Sequence, residues 1–241
     1  LCGDVNPSGK MADTIAKSYD YYPCKDDFWE CFDHVDYSED IYVGYRYFET
    51  VPGAKDYVRY PFGFGLSYTS FDLGGKACCE SDGKIVAVVT VKNTGDVAGK
   101  EVVQLYFSAP QGKLGKSARS LAAYKKTKLL APGESETLAL SFDINNMASF
   151  DDLGKIAKSA YVLEKGEYKF YLGTCVRCAQ KLDFTYTGMA KNQYGWFYMK
   201  NGKLDLTYTG MAKNQYGWFY VKNGKLDTSY TGMAKNQYGW F

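Results

Sequence analysis

The 241-residue sequence holds no run of about eighteen apolar residues, which excludes a membrane-spanning helix from what it contains. Net charge is also scarce. At +2 near neutral pH it supplies no whole-chain argument for a nucleic-acid partner. Histidine occurs once. His34 stands among Asp33, Asp36 and Tyr37, with no cysteine or serine nucleophile motif beside it, and reads as a solvated loop residue. The seven cysteines, at positions 2, 24, 31, 78, 79, 175 and 178, are odd in number, so they cannot form a fully paired internal framework. They leave the redox compartment open. Cys175-Val176-Arg177-Cys178 is a CxxC without a second, and Cys78-Cys79 offers no matching spacing. Zinc needs four ligands, and a strand would place i and i+3 on opposite faces, so neither a metal site nor a cofactor is expected. At Leu1 there is no initiator methionine, basic n-region or apolar h-region; a signal peptide is either absent or lies upstream.

What the sequence does have is a globular composition, 46% hydrophobic and 23% charged, in a length suited to one or two domains. Its 41 aromatic residues are unevenly spread: 17 in residues 1–71, nine in residues 72–183 and 15 in residues 184–241. That partition suggests three segments with different tasks.

The last segment is a tandem repeat. FTYTGMAKNQYGWFYMKNGKLD at 184–205 recurs at 206–227 with only Phe184/Leu206 and Met199/Val221 changed, and in part at 228–241. In each unit Gly-Trp-Phe-Tyr runs into Lys-Asn-Gly-Lys. Asn-Gly supplies the two positive-φ residues of a type I′ turn, so Trp196 to Met199 are expected to pair with the residues from Lys203 onward as a hairpin. A lone hairpin is marginal in water, and stacking copies buries the aromatic faces. Residues 181–241 carry eight Lys, no Arg, three Asp and no Glu, a local charge of about +5. This could hold an anionic polymer, or simply protect edge strands.

Residues 85–173 read as an all-β sandwich of alternating strands. Strands are expected over Ile85 to Lys92, Glu101 to Phe107, Leu121 to Leu130 and Glu136 to Phe142, with Tyr161 to Leu163 and Tyr168 to Leu172 joined as a hairpin through Glu164-Lys165-Gly166-Glu167. Its carboxylate pairs, Asp151-Asp152 and Glu134/Glu136, read as solvated turn or strand-edge acids. No catalytic constellation is evident there.

Two resemblances follow from particular motifs. The Gly-Trp-aromatic-Tyr…Asn-Gly…Asp…Tyr-Thr-Gly pattern of 181–241 resembles the cell-wall and glucan-binding repeats related to choline-binding repeats. That resemblance implies a hairpin solenoid with ligands in aromatic notches between copies, lined by Trp196, Tyr198 and Tyr208 and then by Trp218, Tyr220 and Tyr230. Sugar would pack on the π faces, whereas a quaternary ammonium would use cation–π attraction. Upstream, GDVNPSGKMADT (3–14), YSEDIYVGYRYFE (37–49), YPFGFGLSYTSF (60–71) and KNTGDVAGKEVVQLYFSAP (92–110), in this order, resemble the end of a glycoside hydrolase family 3 β-glucosidase. The implied fold is mainly β: a remnant of the family's α/β sandwich domain at 1–71, a fibronectin type III-like sandwich at 72–180, and hairpin repeats at 181–241. That family hydrolyses β-glycosides with retention, using an Asp nucleophile and a Glu acid/base. The nucleophile's Ser-Asp-Trp signature is absent, the nearest string being Ser81-Asp82-Gly83, and the acid/base Glu would precede Leu1. No catalytic residue is therefore assigned. Glu39, Asp40 and Glu49, near Arg46, are expected to form structural ion pairs, and Tyr45, Tyr47, Phe62, Phe64 and Tyr68 an inter-domain seam.

These features lead to three expectations: a β-glucosidase fragment whose catalytic domain lies elsewhere, a non-catalytic carbohydrate- or wall-binding protein, or an adhesion module without sugar chemistry. The partners implied are a β-glucoside or glucan, a wall polymer and the absent catalytic domain, with no nucleic acid. The repeats point to the cell surface, and a cytoplasmic location stays open. The chain reads as truncated at both ends.

Overall fold

The computed structural model describes residues 3–27, 33–81, 83–185, 188–192, 195–200, 203–214, 217–236 and 239–240. Two units are distinguished, one of residues 1–78 and 83–183, the other of residues 79–82 and 184–241. The elements are mostly strands, and no helix among the described residues is long and apolar enough to cross a membrane.

In the first unit the chain forms β1 (Ile15–Ala16), α1 (Tyr45–Thr50), β2 (Val58–Tyr60), β3 (Phe71–Ser81), β4 (Lys84–Asn93), β5 (Val102–Ser108), β6 (Ser120–Lys126), β7 (Ser135–Asp143), β8 (Ser149–Asp151), β9 (Ala160–Val162), β10 (Lys169–Gly173) and β11 (Gln180–Lys181). One sheet places β3, β4 and β7 side by side in that order, and a second runs β11-β10-β5-β6. The period-2 pattern explains the core. Ile85, Ala87, Val89 and Val91 of β4 and Leu138, Leu140 and Phe142 of β7 point inward, meeting Val103 and Leu105 of β5 and Phe170 and Leu172 of β10.

The outer face of β5 is also covered. Gln104 and Tyr106, which alternate with the core residues, are themselves buried. Tyr106 packs with Tyr45, Val176 and Ala179, and Phe62 and Leu121 close the cluster. Residues 45–62 therefore sit on the sandwich as a second layer, with Tyr45 Oη accepting from Leu121 N–H at 2.9 Å and Thr50 Oγ1 from Ala118 N–H at 2.8 Å. Burial pushes the Tyr106 phenol far above its usual range, with the Tyr45 phenol adding to the shift. Of the expected seam aromatics, Tyr45 and Phe62 face the sandwich, whereas Tyr47 turns edge-on to Phe48, Phe64 packs on Tyr60, and Tyr68 is exposed.

Four expectations are corrected. Glu49 pairs with Arg177 at 2.7 Å and Lys55 at 3.5 Å, not with Arg46, which lies over the Tyr45 ring. The segment Tyr161 to Leu172 is not a hairpin: β9 pairs with β8 over three residues, while β10 pairs with β11 and, over its full five residues, with β5. Asp151 is not solvated but fully buried. Its Oδ1 accepts N–H bonds from Gly154 and Lys155, and its Oδ2 from Ile156 and Ala157, at 2.6–3.0 Å. Finally, the CxxC occupies a turn after β10 rather than a strand, so its sulfurs meet in a Cys175–Cys178 disulfide.

The second unit continues with β12 (Phe184–Thr185), β13 (Gly188–Asn192), β14 (Gly195–Lys200), β15 (Lys203–Leu204), β16 (Gly210–Asn214), β17 (Gly217–Lys222), β18 (Lys225–Leu226), β19 (Lys235–Asn236) and β20 (Gly239–Trp240). Five of these form a sheet in the order β13-β14-β18-β17-β16, with β15 also on β14. The main partner of the Gly-Trp-Phe-Tyr strand is the preceding Gly-Met-Ala-Lys-Asn of its own copy, Gly188↔Met199 to Asn192↔Gly195. The hairpin expected across Asn-Gly exists but is short, Met199↔Leu204 and Lys200↔Lys203, and Val221↔Leu226 and Lys222↔Lys225 in the next copy. Asn201 and Gly202 lie outside the described residues. Their counterparts Asn223 and Gly224 have φ of +50° and +72°, as a type I′ turn requires.

Candidate functional site

Alternation along β14 places Trp196 and Tyr198 on one face, and β17 does the same for Trp218 and Tyr220. Tyr208 follows β15 after a turn set by Asp205, whose carboxylate accepts from the Thr207 N–H at 2.9 Å and its hydroxyl at 2.6 Å. Those bonds hold the Asp205 carboxyl below its ordinary range, the hydroxyl contributing most. Asp227 and Ser229 repeat the arrangement in the next copy. The turn delivers Tyr208 onto Tyr198, ring centroids 3.7 Å apart and planes 15° from parallel. Tyr220 and Tyr230 stack with the same geometry. Tyr208 Oη donates to the Met211 carbonyl at 2.6 Å, and Tyr230 Oη to that of Met233 at 2.9 Å, so each ring is anchored at its polar end. Burial raises the Tyr198 and Tyr208 phenols, with Asp205 adding to the first and Tyr198 to the second. Both phenols are neutral at physiological pH.

Trp196 and Tyr198 of the first copy and Tyr208 of the second come together around Ala212 and Val221 of the second, joined by its Phe219 and Leu226. The cluster is shared between two repeats. Trp218 and Tyr220 are half-buried and Tyr230 is exposed at 38%. The expected rings Trp196, Tyr198 and Tyr208 are thus neighbours, and the two tyrosines lie against one another rather than across a gap.

Gly224 is the positioning residue that sequence reasoning missed. The tip of the second copy's turn is tied to both copies: Gly224 N–H donates to Tyr208 O of its own copy at 2.8 Å, and Tyr198 N–H of the first copy donates to Gly224 O at 2.7 Å. A Cβ at Gly224 would lie 2.2 Å from the Asp205 carbonyl oxygen. The Asn-Gly dipeptide signalled a turn, but nothing in it signals that the turn is also the joint between copies.

In the first unit two enclosed carboxylates, Asp151 and Glu164, serve the fold. For Asp151, burial alone would raise the pKa, but the N–H groups of Ile156, Ala157, Lys155 and Gly154 outweigh it and hold the carboxyl below its usual range. Glu164 is held low chiefly by Lys116, burial opposing, with help from the Lys113 and Leu114 N–H groups. Neither is a carboxyl kept protonated, as a general acid must be. His34 is exposed beside Asp33 at 3.1 Å. Among the described residues no three His, Cys, Asp or Glu are grouped to hold a metal ion.

Residues 101–175 match the fibronectin type III-like domain, and residues 185–205, 207–227 and 229–241 match the choline-binding repeat. β-Glucosidase A of Butyrivibrio fibrisolvens is 55% identical over 207 residues, covering 80% of this chain and 25% of that protein. The structure is similar to that of a β-glucosidase from Paenibacillus barengoltzii, with 50% identity and a TM-score of 0.69 over 75% of this chain and 20% of that one. It is likewise similar to the family 3 β-glucosidase of Bifidobacterium adolescentis, at 32% identity and a TM-score of 0.66 over 75% and 27% of the two chains. The chain thus spans about a quarter or less of the length of such relatives.

Proposed function

Most of this chain is the C-terminal part of a glycoside hydrolase family 3 β-glucosidase, with a fibronectin type III-like domain followed by choline-binding repeats, and from this we propose that it anchors β-glucosidase chemistry to a surface polymer. In this reading the hydrolysis of β-glucosides is the work of the whole enzyme, and no nucleophile or acid/base is assigned among these 241 residues. In this reading residues 1–71 are the remnant of the α/β sandwich domain, residues 72–180 the fibronectin type III-like domain and residues 181–241 the polymer-binding repeats. Trp196, Tyr198, Tyr208, Trp218, Tyr220 and Tyr230 carry the binding, the polymer being a glucan or a choline-bearing wall polymer.

The observation that supports it most is the ring cluster shared by consecutive copies, Trp196, Tyr198 and Tyr208 around Ala212 and Val221. Aromatic faces on a rigid sheet suit the C–H face of a pyranose or a cationic headgroup. A second reading, an adhesion module without sugar chemistry, draws on the stacking of Tyr198 on Tyr208, which spends two of three rings on one another.

Retention of the chain on insoluble glucan and on cell walls, with free choline as competitor, tests the proposal. Retention that falls at least about tenfold in Trp196→Ala with Trp218→Ala is expected. Unchanged retention in that double variant overturns it and favours the adhesion reading. The chain by itself is expected to leave an aryl β-glucoside intact; turnover abolished by one carboxylate substitution would place the catalytic pair within it.

A further inference from the structure

We infer that the Cys175–Cys178 disulfide is a redox-sensitive latch, which holds residues 49–63 against the sandwich when oxidised and loosens them when reduced. The bond closes a loop of only four residues between β10 and β11. A cross-link between residues so close in sequence restricts little of the unfolded chain, since the entropic gain grows with loop length. Its effect is therefore on the loop and on what the loop holds.

The two enclosed residues both point at the N-terminal segment. Val176 is fully buried in the Tyr45, Tyr106 and Ala179 cluster against Phe62. Its N–H donates to the Phe62 carbonyl at 3.1 Å, and its own carbonyl accepts from the Arg119 guanidinium. Arg177 donates through Nε to Glu49 Oε1 at 2.7 Å and through Nη2 to the Lys55 carbonyl at 3.1 Å. Glu49 is buried, with 5% of its side chain exposed, so Arg177 and Lys55 are what make its charge tolerable there. Gly63 passes so near that a Cβ on it would lie 3.0 Å from Cys175 Cα. The Val176–Phe62 main-chain hydrogen bond, the Arg177–Lys55 carbonyl bond and the Arg177–Glu49 ion pair all depend on the path of residues 175–178.

The bond is also reachable. Cys175 is buried but Cys178 is exposed, so a dithiol can attack from the Cys178 side. One thiolate of the reductant attacks Cys178 Sγ, the protein S–S bond breaks, and Cys175 leaves as a thiolate that takes up a proton. The second thiol of the reductant then displaces Cys178 and closes the reductant's own disulfide, so two electrons and two protons pass to the protein. Tyr45 Oη to Leu121, Thr50 Oγ1 to Ala118 and the Lys10–Glu101 ion pair at 2.7 Å do not involve the loop. They keep the segment attached, which makes the expected change a local loosening rather than release.

Hydrogen exchange of the full chain, oxidised and after dithiothreitol, tests this, with alkylation and mass spectrometry scoring Cys175 and Cys178. The expected result is exchange about tenfold faster in residues 55–64 and 174–180, with β4 and β7 unchanged. Cys175→Ser with Cys178→Ser should show the faster exchange without reductant and no further change with it, which separates this bond from other cysteines. Equal exchange at 55–64 when both cysteines are alkylated overturns the inference. So does equal loss of protection in β4 and β7, which would make the bond a staple of the whole sandwich. Should the double variant not fold, reduction of the unsubstituted chain decides.

Discussion

The ring of Tyr198 lies flat on that of Tyr208, centroids 3.7 Å apart, and Tyr220 on Tyr230 reproduces the arrangement 22 residues later. Identical geometry in successive copies follows from identical local causes: an Asp that sets the turn and a tyrosine hydroxyl tied to a carbonyl three residues on. Each cause is open to substitution.

Tyr208→Phe keeps the stack and removes only the hydrogen bond to the Met211 carbonyl, and is expected to cost about 1 kcal/mol of tail stability. Tyr208→Ala removes the ring as well and is expected to cost about 2–4 kcal/mol. Thermal unfolding followed by near-ultraviolet circular dichroism reads both. Equal losses would show that the ring contact contributes nothing beyond the hydroxyl.

Gly224→Ala and Gly133→Ala form a matched pair. Both glycines have positive φ, +72° and +79°, so both substitutions carry a conformational cost of about 1 kcal/mol. At Gly133 a Cβ meets nothing within 4 Å, whereas at Gly224 it meets the Asp205 carbonyl oxygen at 2.2 Å. Gly224→Ala is expected to be the worse by at least about 2 kcal/mol and to separate the unfolding of adjacent repeats, read by calorimetry.

Asp151 links stability to pH. Its carboxyl is held below the ordinary 3.8 in the folded chain, so between the two values the unfolded state binds more protons. The stabilisation is fully present above the unfolded value and is lost as pH falls through the folded one. Asp151→Asn is expected to lower the melting temperature by several degrees at pH 7 and to lose less than the unsubstituted chain on acidification below about pH 4. Parallel melting curves for the two chains from pH 7 to pH 3 would sink the assignment.

Leu138→Ala, at a buried position of β7, is expected to cost about 2–5 kcal/mol, whereas Tyr124→Ala on the exposed face of β6 should stay within about 0.5 kcal/mol. Chemical denaturation of the two variants measures the difference. A large loss at Tyr124 would identify that face as packed rather than exposed.

Much of the sandwich was legible because period-2 alternation is a local property. Ile85 to Lys92 and Glu136 to Phe142 alternate in sequence and lie within a residue or two of β4 and β7, each of which sets one face in the core. The eleven-residue β3 was not read as a strand, since Phe71 to Ser81 contains two glycines and alternates weakly in burial. Asp151 was misjudged for a related reason: an Asp-Asp-Leu-Gly string looks like any solvated turn, and only the folding of residues 154–157 back over it shows that its oxygens are satisfied from within. Of the candidate site, the ring identities were legible from the repeat, while their mutual stacking and the role of Gly224 were not.

By itself the sequence determined the order of segments, the repeat, the family resemblance and which rings recur, because these depend on residue identity and spacing along the chain. Only the tertiary structure decided the partners: Arg177 rather than Arg46 for Glu49, Cys178 for Cys175, and Tyr208 for Tyr198. Arg177 is 128 residues from Glu49 and outranks the near neighbour Arg46 because the fold, not the chain, sets which charge reaches a buried carboxylate.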